Sequence, residues 1–378
     1  MRGDNKSKLK IKRFDRIFLI ITLLLVLYGT AMVISAGSAY ATVKYGDSMY
    51  FVKRQLIWLA LGLFAMILAS RIDIKYIKMS SVYLYIITLA LLVLTLVIGF
   101  SGNGAQRWIS IGPLTIQPSE IAKLAVVIIL AYYFDKNESQ TLSKSARESF
   151  VRGTMLPLGL IMIPIVLVML QKHLSCMIIL GLIGIILIVL SGVRIRYIAG
   201  FIGAGALGVS ALALLTDYTK DRITVWLDPE RYKLTGGWQT LQGLMAIGSG
   251  GWLGKGYGMS ELKYLYVSEP ANDMIFAILC EELGIVGAVI AIGLFAALIT
   301  RGFKIASSVT DTYTRLLCLG ISCQIAIQVI LNIAVVTNTI PNTGISLPFF
   351  SYGGSSLVML LFEIGIILSV SRSAKIGK

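Results

Sequence analysis

The chain has 378 residues, 56% hydrophobic and 14% charged, with a formal net charge of +15 and a mean hydropathy of +0.82. A soluble domain carries about a quarter charged residues, so this composition excludes an ordinary water-soluble enzyme, a disordered chain and a collagen-like fibre, and points to an all-α polytopic membrane protein. The basic excess suits loops that face anionic lipid; no basic run is interleaved with base-stacking aromatics, so nucleic acid is not an expected partner.

A basic head, 1–15, precedes the first apolar run. Ala39-Tyr40-Ala41 fits a signal-peptidase rule, but the run from Leu19 to Ile34 is longer than most signal cores and reads as an uncleaved span. Apolar stretches long enough to cross about 30 Å of hydrocarbon are expected at 16–38, 54–70, 79–100, 118–134, 153–171, 176–192, 198–216, 274–300, 315–337 and 352–371. That gives ten helices in a single domain, 16–372, followed by a short cytoplasmic tail, 373–378. With the N-terminus inside, 22 of the 34 Lys and Arg fall in cytoplasmic segments and 5 in short outer loops. This bias predicts both ends of the chain in the cytoplasm and a large outer loop between helices seven and eight. No Walker-type or HExxH motif is present, which argues against an ATP-driven pump. Cys176, Cys280, Cys318 and Cys323 lie in apolar runs without CxxC spacing and read as small buried hydrophobes.

The unusual polar chemistry collects in three expected outer segments, 101–120, 217–273 and 338–356. In the first, Arg107 and Trp108 stand among glycines, and Pro118-Ser119-Glu120 reads as a helix start. Glu120 and Lys123 can pair at i, i+3. Arg107 at a membrane surface suits a phosphate, whereas Trp108 and Glu120 read equally as an interfacial anchor and a helix cap. The turn Gln171-Lys172-His173-Leu174-Ser175 holds the single histidine, expected to be an interfacial polar turn.

The second segment is rich in glycine, too polar to span and too apolar to be a free loop, as in a re-entrant segment whose backbone is satisfied by protein. It ends at Asp273, where helix cap and catalytic acid are compatible roles. Glu281 and Glu282, about 12–13.5 Å further along the helix, point away from Asp273 and read as structural intramembrane acids, with Lys123 as an expected partner. The third segment, Asn332 to Ser356, is uncharged and rich in hydroxyls, amides and turn residues, suited to a sugar or a lipid head group.

Taken together the three segments resemble the SEDS family (shape, elongation, division and sporulation) that includes RodA, FtsW and SpoVE. The resemblance is carried by Gly104-Ala105-Gln106-Arg107-Trp108-Ile109 with Gln117-Pro118-Ser119-Glu120 and Lys123, by Gly254 to Gly284 with Asp273 and Glu281-Glu282-Leu283-Gly284, and by Pro341 to Ser356. Val267-Ser268-Glu269 and Ala271-Asn272-Asp273-Met274 depart from the commoner Leu-Pro-Glu and His-Thr-Asp-Phe. The 171–175 turn leans toward FtsW- or SpoVE-like members. The resemblance implies a peptidoglycan glycosyltransferase that polymerises lipid II at the outer face of the bacterial cytoplasmic membrane. It implies Asp273 as general base, substrate contacts from Arg107, Trp108, Glu120, Lys123, Lys263, Glu269, Ser351 and Ser355, and undecaprenyl diphosphate as leaving group. It further implies a class B penicillin-binding protein and other division or elongation machinery as partners. No cofactor or metal site is expected, a divalent cation being the one candidate. The competing readings are a flippase or transporter of lipid-linked sugars, which would line a mid-membrane path with charge, and a scaffold for a partner transpeptidase.

Overall fold

The computed structural model describes residues 14–102, 105–112, 114–141, 145–194, 197, 199–200, 203, 217–264 and 266–373. The chain opens with α1 (Arg16–Tyr45), α2 (Tyr50–Arg71), the short α3 (Ile74–Met79) and α4 (Ser81–Ile98). Asp15 caps α1 by accepting from the Phe18 N–H at 2.8 Å, meeting one of the donors that a helix start leaves orphaned. α1 runs well beyond the expected end at 38. The hydroxyls of Ser38 and Thr42 bond back to the carbonyls of Ser35 and Ser38, so the polar residues that suggested a stop are satisfied within the helix.

A three-stranded antiparallel meander follows, β1 (Phe100–Gly102), β2 (Ala105–Ile111) and β3 (Leu114–Ile116), in the order β1-β2-β3. Next come α5 (Pro118–Lys136), α6 (Glu138–Thr141), α7 (Ala146–Phe150), a π turn at Val151–Met155, α8 (Leu156–Leu170) and α9 (Leu174–Leu190). α5 starts as the sequence predicts, with Pro118 at its head and Glu120 in its first turn. α10 (Asp217–Leu227) and α11 (Gly237–Ser249) belong to the glycine-rich segment, and α12 (Ile275–Ser307), α13 (Thr312–Val336) and α14 (Gly354–Ser373) complete the chain.

Seven helical stretches among the described residues are long and apolar enough to cross a membrane: α1, α2, α4, 147–170, α12, α13 and α14. The chain is a multi-pass membrane protein. The expected fourth and sixth spans are also helical, but α5 carries Glu120, Lys123, Asp135 and Lys136 within 19 residues, and α9 has only 17. The basic head up to residue 13, most of the seventh expected span (198–216) and residues 374–378 of the tail lie outside the described residues. α13 and α14 occupy the centre, with 67% and 72% of their most apolar stretch buried, against 28% for α2, α4 and α12, whose apolar faces are left for lipid. α14 lies so close to α2 that a Cβ on Gly365 would overlap the Met66 carbonyl oxygen.

α12 is broken at Gly284, whose φ of 65° and ψ of −164° are open essentially to glycine alone. The glycine-rich strand of chain before it fills the break. Lys255 and Gly256 N–H donate to the carbonyls of Glu281 and Glu282 at 2.9 and 3.0 Å, and Ile285 and Val286 N–H donate to those of Gly251 and Trp252 at 3.0 and 3.1 Å. Bonds that a broken helix would forfeit are thereby replaced inside the protein, as the hydrocarbon environment demands. Side chains lock the same join. Glu281 pairs with Lys255 at 3.0 Å and accepts from Ser260, while Glu282 pairs with Lys263 at 2.9 Å and accepts from Ser35. Glu281 and Glu282 are fully buried and paired with Lys255 and Lys263, not with the expected Lys123, which pairs with Glu120.

Candidate active site

One cavity of about 980 Å³ gathers side chains from β2, α5, α9, α10, α11, the 269–273 segment, α13 and the 342–356 turn. Asp273 stands two residues before α12. It does not cap that helix: the N-cap position is Met274, which uses no side chain. The carboxylate is turned into the cavity wall, and its Oδ1 is buried without a hydrogen-bond partner. Asn332 holds the backbone here, its Nδ2 donating to the Asp273 and Ile345 carbonyls at 2.9 and 2.6 Å. Burial, and then the neighbouring charge of Glu269, push the Asp273 carboxyl up to about 7, with Gln239 and Arg222 partly opposing the rise. Such an acid is poised to take a proton near neutral pH.

Cations line the same cavity, Arg107 and Arg222 among them. Arg107 donates to the Lys172 carbonyl and Arg222 to that of Asn342, while Trp226 Nε1 donates to the Asn338 carbonyl at 3.0 Å. The last two bonds pin α10 across the 338–342 segment. Deeper in, Lys123 donates to Glu120 Oε2 at 2.7 Å, both side chains lying almost wholly out of solvent yet facing the cavity. His173 is more than an interfacial turn. It is buried in the cavity wall, its Nδ1 3.3 Å from Ser119 Oγ and 3.4 Å from Gln117 Nε2. Burial, with Arg107 and Lys123 nearby, lowers its pKa to about 3, so the ring is neutral. Glu269 accepts from Asn272 Nδ2 at 2.6 Å and lines the cavity with Trp108.

Arg107, Trp108, Glu120, Lys123, Glu269 and Asp273 are therefore brought together. Lys263, Ser351 and Ser355 are not. Lys263 is committed to Glu282, Ser35 and the Gly258 carbonyl at the α12 break, with 3% of its side chain exposed, so it cannot meet a leaving group in the cavity. Ser351 Oγ accepts from the Leu347 N–H and donates to the Asn272 carbonyl, both at 2.7 Å, and Ser355 Oγ accepts from the Gln117 N–H at 3.3 Å. Both serines are buried struts of the wall. Among the described residues no three His, Cys, Asp or Glu side chains gather to enclose a divalent cation.

Sequence reasoning passed over Arg222, Gln239 and Gln328. Arg222 and Trp226 repeat at i, i+4, a helical face with a cation and an indole at its centre. Gln324, Gln328 and Asn332 repeat every fourth residue in the largely buried α13, a polar stripe that spacing alone could reveal.

The sequence profile of the FtsW/RodA/SpoVE family, described as cell cycle proteins, matches residues 15–376. The chain is 40% identical to the stage V sporulation protein E of Bacillus subtilis, over 96% of this chain and 98% of that one. It is 35% identical to the probable peptidoglycan glycosyltransferase FtsW of Trichlorobacter lovleyi, over 98% and 97%. Among solved structures, a chain of a peptidoglycan synthase complex that coordinates polymerization and crosslinking superposes with a TM-score of 0.80 at 28% identity, over 95% of this chain and 98% of that one. The rod shape determining protein RodA of Thermus thermophilus superposes with a TM-score of 0.71 at 27% identity, over 96% and 97%.

Proposed function

The chain belongs to the FtsW/RodA/SpoVE family, and on that premise we propose that it is a peptidoglycan glycosyltransferase that polymerises lipid II with Asp273 as its general base. A hydroxyl oxygen of the acceptor sugar attacks the anomeric carbon of the donor. The bond from that carbon to the diphosphate breaks, the diphosphate leaves with the electron pair, and the hydroxyl proton passes to Asp273. The observation that carries this reading is the orphaned Asp273 oxygen in a cavity that also collects Arg107, Arg222 and Lys123. A buried carboxylate oxygen without a donor is costly unless a ligand supplies one, and the hydroxyl to be deprotonated is such a donor for Oδ1. Preorganised cations stabilise the charge that grows on the leaving diphosphate.

Glu120 and Glu269 supply acceptors for sugar hydroxyls, Trp108 an indole face, and His173, being neutral, a wall that adds no charge. The cavity volume lies at the upper end of the range for ligand sites, suited to a saccharide head whose lipid tail lies between helices. This end of the bundle faces outward from the cytoplasmic membrane with both chain ends inside, a reading supported by the Lys and Arg bias of the loops. A class B penicillin-binding protein is the partner we assign, supported by the likeness to a chain of a complex that couples polymerization to crosslinking.

The test is reconstitution of the purified protein in liposomes with labelled lipid II, with and without its cognate transpeptidase. Long glycan strands are expected. Transbilayer movement of lipid II without polymer would replace the enzyme by a flippase.

A further inference from the structure

His173 stands at the start of α9, and its backbone is held on both sides. Its N–H donates to the Val168 carbonyl and its own carbonyl accepts from the Met177 N–H, both at 3.2 Å. Only 8% of the residue is exposed, and it lines the cavity. The chemistry above gives the ring no contact with substrate, yet its two nitrogens are placed very differently. Nδ1 turns to the start of α5, 3.4 Å from Gln117 Nε2 and 3.3 Å from Ser119 Oγ. An amide nitrogen donates and does not accept, so Nδ1 is the acceptor, and the proton of the neutral ring sits on Nε2. Among the described residues no protein group accepts from Nε2. Nor is that atom sealed in the wall as an orphan: it opens into the cavity that the ring lines.

Its neighbours decide what can accept there. Arg107 donates to the carbonyl of Lys172, the residue before His173. Lys123 stands one turn along α5 from Ser119, which touches the ring. All three side chains line the cavity. Burial, and then these two cations, keep the imidazole uncharged. A neutral N–H in a positive field is matched by an anionic oxygen better than by a hydroxyl, and hydrogen bonds to charged acceptors are the stronger kind. A third cation at this position would be repelled by the other two, whereas a neutral donor adds a hydrogen bond without that penalty.

We propose that His173 Nε2 donates a hydrogen bond to an oxygen of the leaving diphosphate, with Gln117 and Ser119 holding the ring in the tautomer that this contact requires. The assignment rests on the cavity being the glycosyl-transfer site, and deepens it by saying where the diphosphate lies: against the wall built by Arg107, the start of α5 and His173. As the bond from the anomeric carbon to the diphosphate breaks, negative charge grows on the diphosphate. The hydrogen bond strengthens with it and is expressed in kcat.

His173 is the single histidine of the chain, so isotopic nitrogen labelling of histidine, in full-length protein purified without a histidine tag and held in nanodiscs, gives an NMR spectrum of this ring alone. Nε2 should carry the proton and Nδ1 none, and the Nε2 signal should move when undecaprenyl diphosphate is added but not when undecaprenol, with the same tail, is added. A ring protonated on Nδ1, a signal that ignores the diphosphate, or an equal response to undecaprenol would each overturn the proposal. Two variants test the contact itself. His173→Asn keeps an acceptor toward Gln117 and Ser119 and leaves nothing at the place of Nε2, whereas His173→Gln carries its amide nitrogen out to that place. The Asn variant should bind undecaprenyl diphosphate about tenfold more weakly and polymerise lipid II with kcat lowered by about 10–100-fold, the worth of one hydrogen bond to a charged acceptor. The Gln variant should recover most of both. Equal losses in the two variants, or an Asn variant with wild-type affinity and rate, would refute it. If neither variant folds, the spectra of the wild-type protein decide. Glycan synthesis beside a ring that ignores the diphosphate removes only the role of His173. A diphosphate-dependent shift in a protein that makes no glycan removes the glycosyltransfer reading and keeps the diphosphate contact.

Discussion

Asp273→Asn should make the protein inactive and more stable at once. The carboxyl moves from 3.8 to about 7 because burial and Glu269 penalise its charge. At about 1.36 kcal/mol per pH unit this corresponds to about 4 kcal/mol withheld from the folded state once Asp273 is ionised. The folded protein holds the proton up to about pH 7, whereas the unfolded chain releases it near 3.8. The folded state therefore binds more protons between these values, and stability falls as pH rises through that window, then levels off. Asparagine carries no such penalty and needs no capping role, since Met274 is the N-cap. Water in the cavity relaxes part of the burial cost, so we expect a gain of about 1–2 kcal/mol at pH 8, a rise of a few degrees in melting temperature. The gain should shrink as pH falls toward 4. Polymerisation should drop by roughly 10²–10⁴-fold, the usual worth of a general base. Thermal melts in detergent at pH 5 and 8, beside a lipid II polymerisation assay, measure both. An Asn variant that makes near-normal glycan, or that is less stable than wild type at pH 8, would refute the reasoning.

For the wild type, kcat/KM should rise with pH through about 7, because only ionised Asp273 accepts the proton. Arg222→Gln removes a cation that favours that ionisation, so its acidic limb should lie at higher pH, with activity lowered by about tenfold or more. Lys263→Met strips the buried Glu282 of its partner and should cost about 3–5 kcal/mol in a thermal melt, while Lys263→Met with Glu282→Gln should recover most of it; a Lys263 variant that is stable but slow would restore it to the cavity. A cysteine at Thr235 should react with an impermeant thiol reagent from outside intact cells and one at Ser145 should not; both side chains are exposed, and the reverse pattern would invert the proposed topology.

Much of the architecture was legible because the bilayer imposes one rule on every span: about 20 apolar residues with their backbone bonded internally. The start of α5 at Pro118 and the Glu120–Lys123 pair follow from local chemistry that the sequence displays. The β-meander was less legible, its strands of 3, 7 and 3 residues being too short for a periodic signal. Lys263 was misread because a lone cation in a glycine-rich stretch looks the same whether it awaits an anion or already has one 19 positions along the chain. The i, i+4 spacing of Arg222 and Trp226 marks a helical face, but only the fold shows that this face meets the 338–342 segment at the cavity.

The filled break in α12 turns the chain between Gly251 and Glu282 into a closed ring. Backbone bonds and two ion pairs clasp it, and Asp273 is carried on it. In such a ring the number of residues matters more than their kinds. One residue added or removed between Lys263 and Asp273 advances or retards the carboxyl by up to about 3.5 Å, when a misplacement of about 1 Å can cost 10²-fold in rate. The turn from Asp228 to Thr235 lies outside the ring, between α10 and α11, but its Tyr232 and Thr235 line the cavity. Length variation should be rejected most strongly in the ten residues before the acid.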